Sequence, residues 1–221
     1  MQTSECEYSD EHEAIESSPH DVGWVQQELG SVDLCDKRLD RRLIKTTEKL
    51  AASPLSSINE ACGDWASTQA AYRFLDNSKV TPGSILKPHI HETAKRMAAY
   101  GGPVLVIQDT VFFSYGKHPN TRGLGPIGKS NSSKERGLIM HNALAFTTSG
   151  VALGLLSQRL WARKDVPDET PLEKIVRLQC TPLDEKESVK WLKALRETVA
   201  NTPPGVQVIT IADRESDIFE F

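Results

Sequence analysis

Two carboxylates stand where a sheet protein does chemistry most easily, at the ends of strand-like runs. Asp109 interrupts "VLVIQDTVFFSY" and Asp213 closes "VQVITIAD". Each follows β-branched and aliphatic residues. The helical segment between them, "DEKESVKWLKALRETVA", is long enough for a crossover, so the two strands can pair in parallel. Adjacent strands lie about 4.8 Å apart, so aspartates at matching heights can share a divalent ion. Hard oxygen ligands select Mg²⁺ or Mn²⁺. Such a site suits phosphoryl chemistry, in which one ion orients the nucleophile and the other stabilises the leaving oxygen. An aspartate at a strand end can instead cap the next helix, and "DRESDI" after Asp213 reads as a helix start. That reading suits Asp109 less well, because the apolar run continues past it as "VFF" and a buried carboxylate needs a partner.

A second pattern points elsewhere. "GLGPIGKS", residues 123–130, fits the phosphate-loop pattern G-x-x-x-x-G-K-[ST] at every fixed position. Such a loop cradles phosphates only when a strand runs into it and a helix leaves it. Here the strand ends about eight residues earlier, and "NSSKERG" follows. A phosphate-loop ATPase is therefore the least favoured reading. What remains is a Gly-rich basic loop, 116–137, with Lys117, Arg122, Lys129, Lys134 and Arg136 against one acid, Glu135. Lys and Arg in this density suit a nucleic-acid backbone, where they replace condensed counterions.

The elements that would position these residues fall into two groups. From Trp24 to about Tyr100 the chain reads as helical. A short helix, a turn and a longer helix occupy "WVQQELGSVDLCDKRLDRRLIKTTEKLAAS". Leu39, Leu43 and Leu50 share one face with Thr46, and Asp36 is the N-cap. Arg38, Arg42, Lys45 and Lys49 form a basic stripe at spacings of 4, 3 and 4. "SINEACGDWASTQAAYRF" reads as helical to Phe74. The next helix opens at Thr81-Pro82, is kinked or delayed by Pro88, and ends at Gly101-Gly102. From Pro103 the character changes to buried strands: "PVLVIQDTVFFSY", then a hairpin of "GLIMHNALAFTT" and "GVALGLLSQRLWA" turning at "SG", then "PPGVQVITIAD". The intervening helix is expected to place Val189, Leu192, Leu195 and Val199 on one side. His141 reads as a core histidine, and Trp161 and Trp191 as packing residues.

Several separated motifs, in order, resemble one family. "W-x-x-x-E-L-G-x-V-D-L-x-D-x-R-L-x-R-R-L", "AAYRFLDN", "IQDT", "DEKESVKWL" and "ADRESDI" are together similar to the bacterial cut-and-paste transposases of the Tn-five and IS-four group. The similarity runs from about Trp24 to the last residue. It implies a mixed α/β protein with a helical DNA-binding domain at 23–101 and a ribonuclease-H-like core at 102–221, behind a front segment, 1–22, that by its charge reads as an acidic disordered tail. It implies that Asp109 and Asp213 are the first two members of an Asp-Asp-Glu triad holding Mg²⁺ or Mn²⁺. It also implies that Arg42, Arg73 and Arg214 serve DNA, that the partner is double-stranded DNA at transposon inverted-repeat ends, and that the full-length family works as a homodimer. The place of action would be the bacterial cytoplasm, at the nucleoid. The family's third carboxylate lies in a later Y…R…E…K segment, which is not found here, and Glu215 and Asp217 stand too close to Asp213 to replace it. The expectation is a truncated core that binds Mg²⁺ weakly, is inactive alone and leaves one apolar sheet face exposed. The alternative is a module that occupies DNA ends without cutting.

Bulk properties set the remaining limits. The 221 residues suffice for one or two domains, and 38% hydrophobic with 25% charged residues describe a globular chain. No run approaches a membrane span, and the N-terminus lacks the pattern of a secretion signal. Cys6, Cys35, Cys62 and Cys180 are scattered and read as free thiols. The net charge of −4 hides an uneven distribution: residues 1–20 carry six acids and no Lys or Arg, so the remainder holds 26 basic against 24 acidic residues. Binding to a polyanion must therefore come from local patches.

Overall fold

A computed structural model describes residues 23–116, 120–127, 135–165 and 169–217. The acidic tail lies outside them. The chain divides between Ser84 and Ile85 into two compact units.

The first unit is helical: α1 (Gly23–Leu29), α2 (Lys37–Ala52), α3 (Ile58–Cys62) and α4 (Trp65–Leu75). α2 starts where the sequence places its cap, since the Asp36 side chain accepts from the Arg38 N–H at 2.9 Å. The turn before it is held by buried Asp40, which accepts from the Leu34 N–H at 2.9 Å. Leu43 and Thr46 of α2 are buried, as are Val25, Leu29, Cys62, Ala71 and Phe74. The segment read as helical to Phe74 consists of two helices. Gly63 sits at φ +75°, a left-handed stop, and Asp64 caps α4 by accepting from the Ser67 N–H at 2.7 Å.

α5 (Pro82–Tyr100) begins at the expected proline, with Thr81 accepting from the Ser84 N–H, and stops before Gly101 at φ +68°. Pro88 neither delays nor ends it: the helix runs through, and the bond Pro88 cannot donate would have gone to Ser84, in the first turn.

The second unit is a mixed sheet. Its strands are β1 (Val104–Ser114), β2 (Gly125–Pro126), β3 (Arg136–Phe146), β4 (Ala152–Trp161) and β5 (Val208–Ile211), with helices α6 (Pro171–Cys180) and α7 (Val189–Asn201) between β4 and β5. The order is β2-β3-β1-β5, with β4 also on β3. β3 and β4 form the expected hairpin, closed by Gly150 at φ +88°. β1 and β5 pair in parallel, Val104 with Val208 through Ile107 with Ile211, as the crossover predicts.

One sheet face carries the core. Val104, Val106, Ala143, Ala145, Leu153 and Leu156 pack with Met97 of α5 and Ala194 of α7. α5 is tied to the irregular part of β4, where the Leu155 N–H donates to His89 Nε2 at 3.0 Å and Arg96 donates to the Leu153 carbonyl. Gly154 there has φ +134°, and a Cβ would sit 2.2 Å from Thr93 Oγ1. The opposite face is bare: Ile107, Val111, Phe113, Ile209 and Ile211 are all exposed. β1 and β5 are thus buried on one face only, not on both as their continuous apolar runs suggest. The α7 stripe also differs from the expected one. Val189, Trp191, Leu192, Ala194 and Thr198 are buried, whereas Val199 is 67% exposed.

Candidate functional site

Backbone register brings the two aspartates together. Asp109 lies mid-β1, opposite Asn142 of β3. On the other side, β1 and β5 are aligned at Ile107 and Ile211. Two residues further along both chains stand Asp109 and Asp213, the latter in extended conformation just past β5. Side chains two apart share a face, so both carboxylates belong to the bare face, with Ile107 and Ile211. Strand alternation in the sequence specifies this outcome: "IQD" and "IAD" each put an isoleucine and an aspartate on one side.

Each carboxylate is partly committed to its own backbone. Asp109 Oδ1 accepts from the Thr110 N–H at 2.7 Å, and Asp213 Oδ1 accepts from the Glu215 N–H at 2.7 Å. Asp213 therefore does cap the short 3₁₀ turn Arg214–Ser216. Capping and ligation are compatible, because one oxygen of each carboxylate has no protein partner among the described residues. Across β3 and β4 the polar level continues: Asn142 faces Asp109, and Gln158 Nε2 donates to Asn142 Oδ1 at 3.0 Å. Neither amide was singled out from the sequence, where Asn142 follows His141 and Gln158 lies between Ser157 and Arg159. Among the described residues no third acidic side chain, histidine or cysteine joins the pair closely enough to complete a metal cluster.

Behind the aspartates, on the helix-covered face, lies a buried polar network. His141 is fully buried. Its Nδ1 is 2.9 Å from Thr110 Oγ1 and its Nε2 is 3.1 Å from Gln108 Oε1, an arrangement in which a neutral ring accepts from the threonine and donates to the glutamine. The ring packs edge-on to Trp191 at 4.5 Å. Burial first, and the nearby Lys190 charge second, push the His141 pKa down to about 4, against the opposing pull of Asp109 and Asp213. Lys190 is itself buried, lies 5.3 Å over the Trp191 ring and pairs with Glu215 at 3.4 Å. It is the cation beneath the Asp213 turn, and "KW" in "SVKWLKAL" gave no reason to choose it over Lys193.

The cations expected to meet DNA divide into three groups. The side chains of Arg42 and Lys45 of α2, Arg73 of α4, Arg122 and Arg214 make no hydrogen bond or ion pair among the described residues. Three others are engaged within the protein. Arg38 grips Asp36 through two nitrogens, at 3.2 and 2.9 Å. Lys49 bridges to Cys62 O, Asp64 and Ser67 Oγ. Arg136 holds both Asp165 oxygens, at 2.7 and 3.1 Å, and the Leu124 carbonyl. The basic stripe of α2 is thus half structural. Lys117, Lys129 and Lys134 lie outside the described residues.

The phosphate-loop pattern does not gain its flanks. β1 ends at Ser114, and Gly125–Pro126, in the middle of the pattern, pairs with Gly137–Arg136 as strand β2. A Cβ at Gly125 would strike the Arg163 backbone at 2.0 Å, so this glycine serves strand packing. Of the four cysteines, Cys35, Cys62 and Cys180 are free thiols, and Cys6 is outside the described residues. Among the described residues no helix is long and apolar enough to cross a membrane.

The helical unit presents Lys45 and Arg73 exposed, a cationic surface that a polyanion can meet. Residues 21–80 match the family model of the transposase DNA-binding domain. The match spans α1 to α4, the whole of the helical unit's packed helices. It supports a transposase-related protein that binds DNA through this unit.

Proposed function

We propose that this chain is related to the DDE transposases of the Tn-five and IS-four group. In this reading its helical unit holds transposon-end DNA, and Asp109 with Asp213 forms the acidic pair of a ribonuclease-H-like core. The observation that carries the catalytic part is the register: Ile107 pairs with Ile211, and Asp109 and Asp213 each stand two residues beyond that pair, which puts the two carboxylates on one face. The donor set fits Mg²⁺ or Mn²⁺. Both groups are hard oxygen ligands, each keeps one oxygen clear of the described residues, and both aspartates are exposed. A divalent ion held there supplies charge stabilisation at a phosphoryl oxygen. The protein's own part is to fix the two carboxylates by backbone N–H bonds and to keep Lys190 and a neutral His141 behind them.

Two carboxylates hold an ion weakly, and two-metal strand chemistry needs a further ligand. The chain is therefore expected to bind end DNA, as a homodimer or alone, with negligible cutting unless another acidic group completes the site. The test is a mobility-shift assay with duplex DNA in EDTA, at several salt concentrations. Binding should persist without metal, survive Asp109→Asn, and fall steeply with salt. A chain that binds no duplex in EDTA would contradict this reading of the helical unit.

A further inference from the structure

From Gly23 to Ser84 the helical unit holds eight basic and eight acidic residues, so its net charge offers a polyanion no attraction. Three of the acids are engaged within it: Asp36 pairs with Arg38, Asp40 with Lys37 and Asp64 with Lys49. α2 is left with cations that meet no acid among the described residues. Arg42 and Lys45 have no partner there, and Arg41 donates to the Lys37 carbonyl at 3.1 Å. Arg41 and Lys45 are exposed and stand one turn apart. Like charges at that spacing repel, so an anion laid along them stabilises the helix.

The chain carries such an anion. Residues 1–22 hold seven acids and no Lys or Arg. The segment joins the unit at Gly23, the first residue of α1, and α1 packs on α2. A 22-residue chain reaches up to about 75 Å when extended, whereas α2 is about 24 Å long. Tethering holds the segment at roughly millimolar effective concentration. Its charges are far sparser than the phosphates of duplex DNA, about one per 1.7 Å, so a duplex can displace it.

We infer that residues 1–22 are an internal competitor of DNA: in the free protein they lie along Arg41, Arg42 and Lys45 of α2, and duplex DNA takes their place. The inference rests on the reading of the helical unit as DNA-binding. Weak contacts with any duplex lose to the tethered segment, and only a duplex that makes further contacts displaces it.

The experiment compares the full chain with a variant of equal length carrying Glu5→Gln, Glu7→Gln, Asp10→Asn, Glu11→Gln, Glu13→Gln and Glu16→Gln. Duplex affinity is measured in EDTA across a range of salt, with thermal melts to confirm folding. The variant should bind about tenfold more tightly at about 50 mM salt, and the gap should close to within about twofold by about 300 mM. A nitroxide on Cys6, with Cys35→Ser and Cys180→Ser and with Cys62 buried, separates contact from repulsion at a distance. It should broaden the amide signals of α2 in the free protein. Duplex DNA, or Arg41→Gln with Lys45→Gln, should restore them, and the neutralised segment should not broaden them. Equal affinity of the two chains at low salt overturns the inference and leaves DNA binding in place. Tighter binding by the variant without broadening of α2 also overturns it, because repulsion alone then accounts for the effect. If neither chain binds duplex, the DNA-binding reading itself fails, and the competition with it.

Discussion

Asp213 does two things with one carboxylate, capping a turn through Oδ1 and leaving its other oxygen toward the bare sheet face. His141, on the reverse of the same level, is held neutral by its burial and by the nearby Lys190 charge. Its folded pKa of about 4 lies below the ordinary 6.5, so the unfolded chain takes up a proton first as pH falls. The stabilisation is fully present above about pH 6.5 and is lost as pH falls towards 4, by up to about 3 kcal/mol. Chemical denaturation between pH 7 and pH 4.5 should show this loss, and His141→Gln should flatten it. Asp36 and Asp64, held down to about 2 by bonds from Arg38 and Ser67, lose their contribution only in the lower window below pH 3.8. Lys49 is the residue whose expected role changes most. Its amine joins three partners on α3, the following turn and α4. Lys49→Met should lower stability by about 1–2 kcal/mol in a thermal melt, more than Lys45→Met, which has no such partners.

At the scale of elements, most boundaries were legible because they are set by local chemistry. Asp36, Thr81, Pro82 and Gly101 sit at helix ends in the structure as their types require. Gly63 and Asp64 carry the same information, a stop followed by a cap. They lie inside the stretch read as helical to Phe74, where no boundary was marked. Asp64→Ala should cost about 1 kcal/mol by removing that cap, measurable by urea titration of the native chain. α6 had every local signal, with Thr170 and Glu173 forming a capping box, yet no expectation covered it, and all its residues are exposed. The face of α7 was misjudged for a different reason. Burial there follows Trp191, Ala194 and Thr198, which pack toward the sheet, and no single-chain periodicity reports which stripe a sheet will cover.

For the whole molecule, the parallel pairing of β1 with β5 and the shared level of Asp109 and Asp213 followed from alternation and crossover length. The apolar runs alone could not show that only one sheet face is covered, because such a run looks the same whether one or both faces are buried; the exposed face was expected from the motif comparison instead. The exposed row Ile107, Val111, Phe113, Ile209 and Ile211 forms an apolar surface of the kind that binds dyes and other chains. The folded chain should enhance anilinonaphthalene sulfonate fluorescence and associate at high concentration, and the pair Val111→Lys and Ile209→Lys should reduce both effects.

The central claim is that Asp109 and Asp213 form one ion site, and electron paramagnetic resonance of Mn²⁺ titrated into the full chain tests it most directly. The account predicts one weak site, with Asp109→Asn and Asp213→Asn each weakening it by roughly tenfold or more and the double variant no worse than the stronger single one. Mn²⁺ binding that is unchanged in both single variants would contradict it.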